Sequence, residues 1–239
     1  MMRSVLIIGG SGEIGSDIAA AAAAEGLKVG LHYNNNKAVI RHMKSVIPES
    51  QWGGSYYGDL SSSNGIDEFV DLIPHEWDYL VFSPGNHSSK LIQDVSSIEM
   101  DQFYYIHVKA LWRISQVLIP GMVRKRQGNI VVISSIWGEE GASTEVIYSS
   151  VKGAQLSYVR ALAKELAPSK VRVNAVTPGF ISTQMNSRLS MKEQEDVIND
   201  IPLGRAGTAN DVAAGVKFLL SEDSSYITGH TLRINGGWY

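Results

Sequence analysis

The sequence of 239 residues contains no cysteine, which excludes disulfide bonds, thiolate catalysis and cysteine-ligated zinc. Its six histidines do not show the His-Glu-x-x-His spacing of a helical zinc site, so we expect no metal. The formal net charge of −3 gives no general excess of positive charge, so we expect no nucleic-acid partner. Apolar residues make up 44% of the chain, which is enough for a substantial core.

The sequence also lacks a long hydrophobic run. The apolar stretch near its start, residues 5–8, is too short for a signal peptide or a membrane span, and we interpret it as a first strand. We therefore expect a cytoplasmic protein that has no membrane partner.

Short apolar runs alternate with segments of helical spacing, a pattern typical of buried parallel strands joined by helices. The runs lie at residues 5–8, 28–32, 79–82, 129–133, 171–176 and 231–234. The helical segments include residues 15–25, 97–125, 149–166 and 211–220. This alternation predicts an α/β fold with a doubly wound parallel sheet flanked by helices on both faces. No composition break interrupts the chain, so we interpret residues 1–239 as one domain.

A glycine-rich turn joins the first predicted strand to the first predicted helix. Glycines allow a pyrophosphate to approach the backbone, and the helix N-terminus offers free N–H groups and the positive end of its dipole. The candidate cofactor-binding residues of this turn are Gly9, Ser11, Gly12, Glu13, Ile14 and Gly15. The alternative is a turn that needs glycine for its backbone angles alone.

The end of the second predicted strand and the end of a further possible strand before Gly58 bear on the choice of cofactor. Sites that prefer NAD hold an acidic residue about twenty positions after the glycine turn. That region contains Tyr33, Asn34 and Asn35 instead, and no carboxylate is present to repel a 2′-phosphate. We therefore expect NADPH rather than NADH, with Lys37 as the nearby cation. Further on, Asp59 is a candidate partner for the adenine amino group, with Leu60 beside it, or a helix cap.

Ser135, Tyr148 and Lys152 form a candidate proton-transfer set. Tyr148 and Lys152 are four residues apart, so they share a face if this segment is helical. A nearby ammonium favours a phenolate, so we expect Lys152 to lower the pKa of Tyr148 toward neutrality. The Ser135 hydroxyl is placed to hold a substrate oxygen. The Tyr-x-x-x-Lys spacing alone is weak evidence, because it occurs by chance on many helices.

Taken in order along the chain, these motifs resemble the short-chain dehydrogenase/reductase family over residues 5–239. The features that carry the resemblance are the glycine turn, Asp59, the Ser135/Tyr148/Lys152 set, Pro178-Gly179 and Thr183. Within the family, residues 174–183 and 227–237 are similar to 3-oxoacyl-(acyl-carrier-protein) reductases. Residues 134–143, 148–155 and 236–239 are similar to bacterial elongation factor P 5-aminopentanone reductases, which reduce a ketone on a lysine-linked modification.

The resemblance implies a Rossmann-type fold, an NADPH-dependent enzyme and a homotetramer built through its long helices. It also implies a ketone substrate, carried on acyl carrier protein or on elongation factor P. The further cofactor-binding residues that it implies are Ser83, Pro84, Gly85, Tyr148, Lys152, Pro178, Gly179, Ile181 and Thr183. It implies that Tyr148 donates the proton, that Lys152 also holds the nicotinamide ribose, and that Ser135 positions the carbonyl oxygen.

The sequence departs from the family pattern at three places. Glu13 stands where the glycine turn normally has glycine, and we expect it to face solvent or to act as an acid in the first helical turn. Residues 82–85 keep the glycine of the family's Asn-Asn-Ala-Gly segment but not its asparagines. His107 aligns with the asparagine that extends the proton relay. It either replaces that asparagine as a fourth catalytic residue or packs as an ordinary helix histidine.

Three segments are considered for substrate binding, and none of them decides between the candidate substrates. Residues 182–201 stand where such enzymes carry a lid over the substrate. Glu139 and Glu140 either attract a cationic amine at the pocket mouth or are solvated loop acids. The basic run at residues 124–126 either docks an acidic carrier protein or is a solvated helix end. A further alternative for the whole chain is a dinucleotide-binding redox sensor without catalytic activity.

Overall fold

The computed structural model describes residues 2–184 and 189–239. Its described part contains a parallel sheet of seven strands in the order β3-β2-β1-β4-β5-β6-β7. The strands are β1 (Ser4–Ile8), β2 (Lys28–Tyr33), β3 (Trp52–Tyr57), β4 (Tyr79–Phe82), β5 (Gly128–Ile133), β6 (Val171–Pro178) and β7 (Thr231–Ile234). The predicted α/β doubly wound parallel sheet is therefore confirmed.

Helices cover both faces of the sheet. They are α1 (Glu13–Ala24), α2 (Lys37–Val46), α3 (Ser63–Leu72), α4 (Ser97–Tyr104), α5 (Ala110–Lys125), α6 (Trp137–Glu140), α7 (Val146–Leu166), α8 (Met191–Asp200) and α9 (Ala209–Leu220). One apolar cluster joins the sheet to α3, α5 and α7, and a second joins it to α1, α2 and α9. A π-helical segment, Tyr105–Lys109, connects α4 to α5. None of the described helices is long and apolar enough to cross a membrane.

The edge strand β3 has the weakest sequence pattern of a strand, because it contains glycines, which have a low strand propensity. One of them, Gly53, is needed for packing. A Cβ on Gly53 would lie 2.9 Å from the Trp77 ring, and one on Gly30 of the neighbouring strand β2 would lie 2.3 Å from it. The Trp77 indole is buried against both glycines. The pairing of β2 with β3 shifts register between Val29 and Leu31. This tertiary requirement is invisible to a pattern of apolar residues.

Several short helices, namely α2, α3, α6 and α8, lie outside the segments predicted as helical. Three of them begin at side-chain caps, in which Asn36, Ser62 and Ser190 accept hydrogen bonds from backbone N–H groups. The Ser190 cap is reciprocal, because Glu193 accepts from the Ser190 N–H in return. That Ser-x-x-Glu pattern is a sequence signal for a helix start. Helix α7 begins at Val146, three residues earlier than expected.

The strand order creates a crevice at the carboxyl ends of β1 and β4. The chain leaves β1 and runs outward through β2 and β3, then returns to pair β4 with the other side of β1. The connections after β1 and β4 therefore diverge to opposite sides, which opens a crevice at this edge of the sheet. The glycine turn and the segment after β4 both lie at this edge.

Candidate functional site

A cleft of about 410 Å³ lies at the carboxyl ends of the central strands. It is lined by most of the predicted site residues: Ser11, Gly12, Glu13, Ile14, Gly15, Ser83, Pro84, Gly85, Ser135, Tyr148, Lys152, Pro178, Gly179, Ile181 and Thr183. These residues come from the loops and helices that follow four strands, β1, β4, β5 and β6. The fold thus joins the predicted cofactor-binding and catalytic sets in one continuous space.

The glycine turn is tightly folded against its neighbours. Gly9 has a φ of +78°, and a Cβ there would lie 2.6 Å from the Ser83 carbonyl oxygen. A Cβ on Gly15, in the first turn of α1, would lie 2.2 Å from the Gly9 carbonyl oxygen. The Gly12 N–H donates to that same oxygen at 3.0 Å. Glycine is required at positions 9 and 15 by the protein's own packing, whereas Gly12 lines the open cleft.

Helix α7 and strand β5 position the candidate proton-transfer set. Lys152 follows Tyr148 by one helical turn, and its Nζ lies 5.6 Å from the centre of the phenol ring. The Lys152 ammonium donates to the Ile133 carbonyl oxygen at the end of β5, at 2.9 Å. Ser135 lies two residues beyond β5, and its Oγ accepts from the Trp137 N–H. All three side chains are buried at the cleft wall.

Burial dominates the electrostatics of this set. It raises the pKa of Tyr148 to about 12, an effect that the Ser135 hydroxyl opposes and the Glu145 charge reinforces. Burial also lowers the pKa of Lys152 to about 7. The expectation that Lys152 lowers the pKa of Tyr148 is therefore wrong in this structure, because desolvation of the phenolate outweighs any effect of the ammonium. Tyr148 keeps its proton at neutral pH, as a proton donor requires.

His107 lies behind Tyr148, in the middle of the π-helical segment. Its ring meets the Tyr148 ring edge-on at 6.0 Å between centres and stacks on Phe103. Its Nε2–H donates to Asn86 Oδ1 at 2.6 Å, while Nδ1 is buried without a partner among the described residues. Burial and then the Lys152 charge hold the pKa of His107 well below its usual value, so the ring is neutral. It does not line the cleft itself.

Several predicted cofactor-binding residues also stand back from the cleft wall. Gly9 forms the base of the turn, and Tyr33 packs edge-on against Tyr57. Asn34 and Asn35 lie in the bend after β2, and Leu60 is buried in the core. Asp59 accepts a hydrogen bond from the Ser61 N–H, a contact that stabilises its own turn.

Other residues line the cleft without having been predicted from the sequence. They are Ser16, Asn36, Val39, Ile133, Ser134 and Gln184. Asn36 is the most informative of these because it caps α2, accepting a hydrogen bond from the Val39 N–H. The first residue of α2, Lys37, therefore follows directly after a residue of the cleft wall. An Asn before a helical segment is the signal that identifies such a cap.

Glu13 makes a contact that sequence patterns do not reveal. It lies in the first turn of α1, which agrees with the expectation of an acid in the first helical turn. Its Oε1 accepts a hydrogen bond from the Gln184 N–H at 2.9 Å. Gln184 is the third residue of the segment expected to form a lid, residues 182–201. Residues 185–188 of that segment lie outside the described part, and α8 forms most of the remainder.

Most of the charged groups considered for substrate docking already have ionic partners, and Arg126 donates a hydrogen bond to the Pro168 carbonyl oxygen. Glu139 accepts two hydrogen bonds from Arg233, and Glu140 lies 3.8 Å from the same guanidinium. Arg124 and Lys125 pair with acidic residues near the amino end of β4, at the edge of the sheet opposite the cleft. These pairs support the interpretation as structural or solvated charges and weaken both docking interpretations.

His32 is a buried histidine near the end of β2 that the sequence did not single out. The Gly9 N–H donates to its Nδ1, and its Nε2–H donates to the Gly58 carbonyl oxygen, both at 3.0 Å. The donors and acceptors of the backbone are fixed, so this tautomer is set by its partners. Burial lowers the pKa of His32 to about 4, although the Gly58 carbonyl and the Asp59 charge act in the opposite direction.

We expect His32 to contribute to acid unfolding. Its pKa lies below the ordinary value of 6.5, so its stabilising effect is complete above about pH 6.5 and is lost as the pH falls toward 4. The loss amounts to about 3 kcal/mol of unfolding free energy. Urea unfolding at several pH values should give a shallower acid limb for His32→Leu than for the natural protein. Equal acid limbs would contradict this assignment, since the second buried histidine, His107, contributes equally to both proteins.

Comparisons with known proteins identify the family. Residues 10–239 match the family model described as enoyl-(acyl carrier protein) reductase. The chain is 31% identical to the 3-oxoacyl-(acyl-carrier-protein) reductase FabG of Staphylococcus epidermidis, covering 100% of both chains. The chain belongs to the short-chain dehydrogenase/reductase family. The resemblance drawn from the motifs is thus confirmed, and this member of the family is an NAD(P)H-dependent oxidoreductase.

Two further relatives complete the comparison. An uncharacterized oxidoreductase of Bacillus subtilis, YmfI, is 42% identical over 243 residues and is covered completely in both chains. The structure of a Brucella melitensis short-chain dehydrogenase/reductase, described as glucose/ribitol dehydrogenase, superposes with a TM-score of 0.90 at 28% identity. That match covers 99% of this chain and 96% of the other. Family membership favours an enzyme over the alternative of a redox sensor without catalytic activity.

Proposed function

We propose that this protein is an NADPH-dependent carbonyl reductase that transfers hydride to a ketone, in the manner of 3-oxoacyl-(acyl-carrier-protein) reductases. The observation that carries the proposal is the shared cleft, in which Tyr148 and Lys152 lie together with the glycine turn. A phenol that retains its proton at neutral pH, in the same cleft as a glycine turn, suits reduction of a carbonyl group by a bound dinucleotide.

The proposed mechanism assigns one task to each side chain. Bound nicotinamide supplies the hydride. The Ser135 hydroxyl holds the ketone oxygen, and Tyr148 donates its proton to that oxygen as negative charge develops there. Lys152 uses one N–H on the Ile133 carbonyl, which leaves further donors for the nicotinamide ribose. Its fixed position also keeps a cation close to the phenolate that the reaction leaves behind.

The remaining residues of the proposed cofactor site are those of the cleft wall. The turn from Ser11 to Gly15 would support the pyrophosphate, and residues 83–85 would support the adenosine and ribose side. Residues 178–183 would support the nicotinamide. The Glu13 carboxylate accepts the Gln184 N–H, which reduces the repulsion that a free carboxylate would exert on the pyrophosphate.

NADPH is the proposed cofactor rather than NADH. The end of β2 has no carboxylate, and Lys37 begins α2 directly after the cleft-lining Asn36. We expect Lys37→Asp to raise the Kd of NADPH about tenfold, because it places negative charge beside the 2′-phosphate, and to leave the Kd of NADH nearly unchanged. Lys44→Asp, at the far end of the same helix, is the control. Equal effects on both cofactors would contradict the preference.

His107 is proposed as the fourth member of the catalytic set. Its tautomer is fixed by Asn86, and its Nδ1, which has no partner among the described residues, would accept a hydrogen bond from a water that relays a proton from solvent to the Tyr148 phenolate. We expect His107→Leu to lower kcat about tenfold to hundredfold, while His107→Asn retains most of it. Thermal melting of both variants controls for packing against Phe103. Full turnover by a stable leucine variant would return His107 to the role of a packing residue.

The ketone itself is proposed from two candidate classes. The similarity to 3-oxoacyl-(acyl-carrier-protein) reductases favours a 3-oxoacyl thioester. One local observation supports the alternative, an aminopentanone group on elongation factor P. Glu145 pairs with His87 beside the Tyr148 ring, and its second carboxylate oxygen is buried without a partner among the described residues. That carboxylate is the acidic group close to the proposed proton donor.

The function is tested by NADPH consumption on both substrates side by side. One arm uses acetoacetyl thioester, free and on acyl carrier protein, and the other uses aminopentanone-modified elongation factor P. Turnover of either ketone supports the proposal, and the ratio of kcat/KM values assigns the substrate class. Failure to oxidise NADPH with every ketone, by a protein that binds NADPH, would contradict it.

The proposal extends to the organisation of the molecule. We interpret residues 1–239 as one nicotinamide-cofactor-binding domain of a cytoplasmic homotetramer. Support for assembly through the long helices comes from their aromatic faces. Tyr104 and Trp112 are about two-fifths exposed and pack edge-on against one another, and Trp112 also contacts Tyr158 of α7.

A further inference from the structure

His32 is a buried titratable group that the proposed mechanism does not use. It is 4% exposed and its ring lies between the end of β1 and the end of β3. A neutral polar side chain in this position would destabilise the core unless both of its ring nitrogens found partners. They do, and both partners are backbone groups of the segments that surround the cofactor cleft.

The two partners lie behind the cleft wall, at the ends of β1 and β3. Gly9 is the first residue of the glycine turn, and its N–H lies just beyond β1, where His32 Nδ1 provides the acceptor. Gly58 follows β3 and precedes Asp59, and its carbonyl accepts from His32 Nε2–H. The ring therefore connects the glycine turn, which is the proposed pyrophosphate support, to the backbone that follows β3.

Neighbouring contacts hold the ring in place. Phe69 of α3 meets it edge-on at 4.8 Å between ring centres, and a Cβ on Gly58 would lie 2.5 Å from the Phe69 ring. On the turn side, Gly9 packs directly on the Ser83 backbone and Gly15 packs on Gly9. A displacement of Gly9 therefore has no free space to relax into, and it shifts the entire turn.

We propose that His32 is a positioning residue of the cofactor site, whose neutral ring ties the glycine turn to the end of β3 and so holds that turn in place at the cleft wall. The inference rests on the proposed NADPH site. According to this inference, a residue outside the cleft wall affects the affinity for the cofactor without affecting kcat. The chemistry of the reaction is unaffected, because His32 touches neither Tyr148 nor Lys152 in the described contacts.

Two substitutions separate the two hydrogen bonds. His32→Asn places an amide oxygen near the former Nδ1 and keeps an acceptor for Gly9. His32→Gln places an amide N–H near the former Nε2 and keeps a donor for Gly58. His32→Leu keeps the volume and removes both. Val29→Ala is the control for a general loss of stability. Val29 lies in the same strand and is fully buried in the apolar cluster that joins the sheet to α1, α2 and α9.

The readouts are the Kd of NADPH, the Kd of the 2′-phosphorylated adenosine fragment of NADPH, kcat at saturating cofactor, and the melting temperature. We expect His32→Leu to raise both Kd values at least about tenfold with kcat changed by less than about twofold. His32→Asn should stay within about threefold of the natural Kd, and His32→Gln should resemble His32→Leu. Val29→Ala should lower the melting temperature without changing either Kd.

The inference is overturned if a folded His32→Leu protein binds NADPH with the natural Kd. It is also overturned if Val29→Ala raises the Kd of NADPH in proportion to its loss of stability. If His32→Leu does not fold, equal Kd values for the asparagine and glutamine variants overturn it. The proposed function fails in a different way. A natural protein that binds NADPH but reduces no ketone contradicts that function and leaves the His32 comparison intact.

Discussion

Replacing Tyr148 with phenylalanine should lower kcat for ketone reduction by at least about a thousandfold, while the Kd of NADPH stays within about twofold of the natural value. The ring is buried against His107 and His87, and phenylalanine keeps those contacts. What it removes is the hydroxyl, which at a pKa of about 12 carries a transferable proton throughout the neutral range. Loss of a positioned general acid has an effect of this order.

The matched control is Tyr158→Phe on the same helix. Its hydroxyl hydrogen-bonds Ser115 Oγ at 2.6 Å, away from the cleft wall. Both variants lose one partly or fully buried hydroxyl from α7, so both should lose a similar and small amount of stability. Only Tyr148→Phe should lose turnover. Undiminished reduction by Tyr148→Phe, or an equal loss in Tyr158→Phe, would exclude Tyr148 as the proton donor.

The second large effect is expected for Gly15→Ala. The added Cβ would lie 2.2 Å from the Gly9 carbonyl oxygen, a backbone atom that cannot rotate away. Overpacking of this kind costs about 3 kcal/mol, or a fall of about 6–12 °C in melting temperature for a chain of this size. Because the relaxation must displace the glycine turn, affinity for NADPH should fall at least about a hundredfold.

Gly12→Ala is the control within the same turn. Its Cβ would lie 3.4 Å from the same carbonyl oxygen, which is ordinary contact, and its φ is −82°. We expect its melting temperature without cofactor to lie within about 2 °C of the natural value. Equal stability of the two alanine variants would show that the turn is looser than the packing around Gly9 implies.

The sheet could be predicted from the sequence where strands are buried on both faces, because such strands consist almost entirely of apolar residues. Strands β1, β4 and β5 are of this kind. Strand β3 is different, since Gly53 is there to accommodate Trp77, a residue distant in the chain. The alternation of strands with helices predicted a doubly wound parallel sheet, whereas the order of its strands came from the structure.

The candidate site was predictable in its parts but not in its electrostatics. The glycine turn and the Tyr148/Lys152 spacing are local patterns, and the fold brings both to one cleft. The direction of the Tyr148 pKa shift depends on burial, which is a property of the packed structure, and sequence spacing led to the opposite sign. His32 shows the same limit, because its two backbone partners come from other strands.

The most direct measurement follows the hydride itself. NADPH carrying deuterium at both C4 positions is incubated with the protein and the ketone that it consumes, and the alcohol product is examined by mass spectrometry. Hydride transfer in the cleft predicts one deuterium on the carbinol carbon with the natural protein and no product with Tyr148→Phe. NADPH consumption without deuterium in the alcohol, or labelled alcohol formed equally by Tyr148→Phe, would contradict carbonyl reduction at this site.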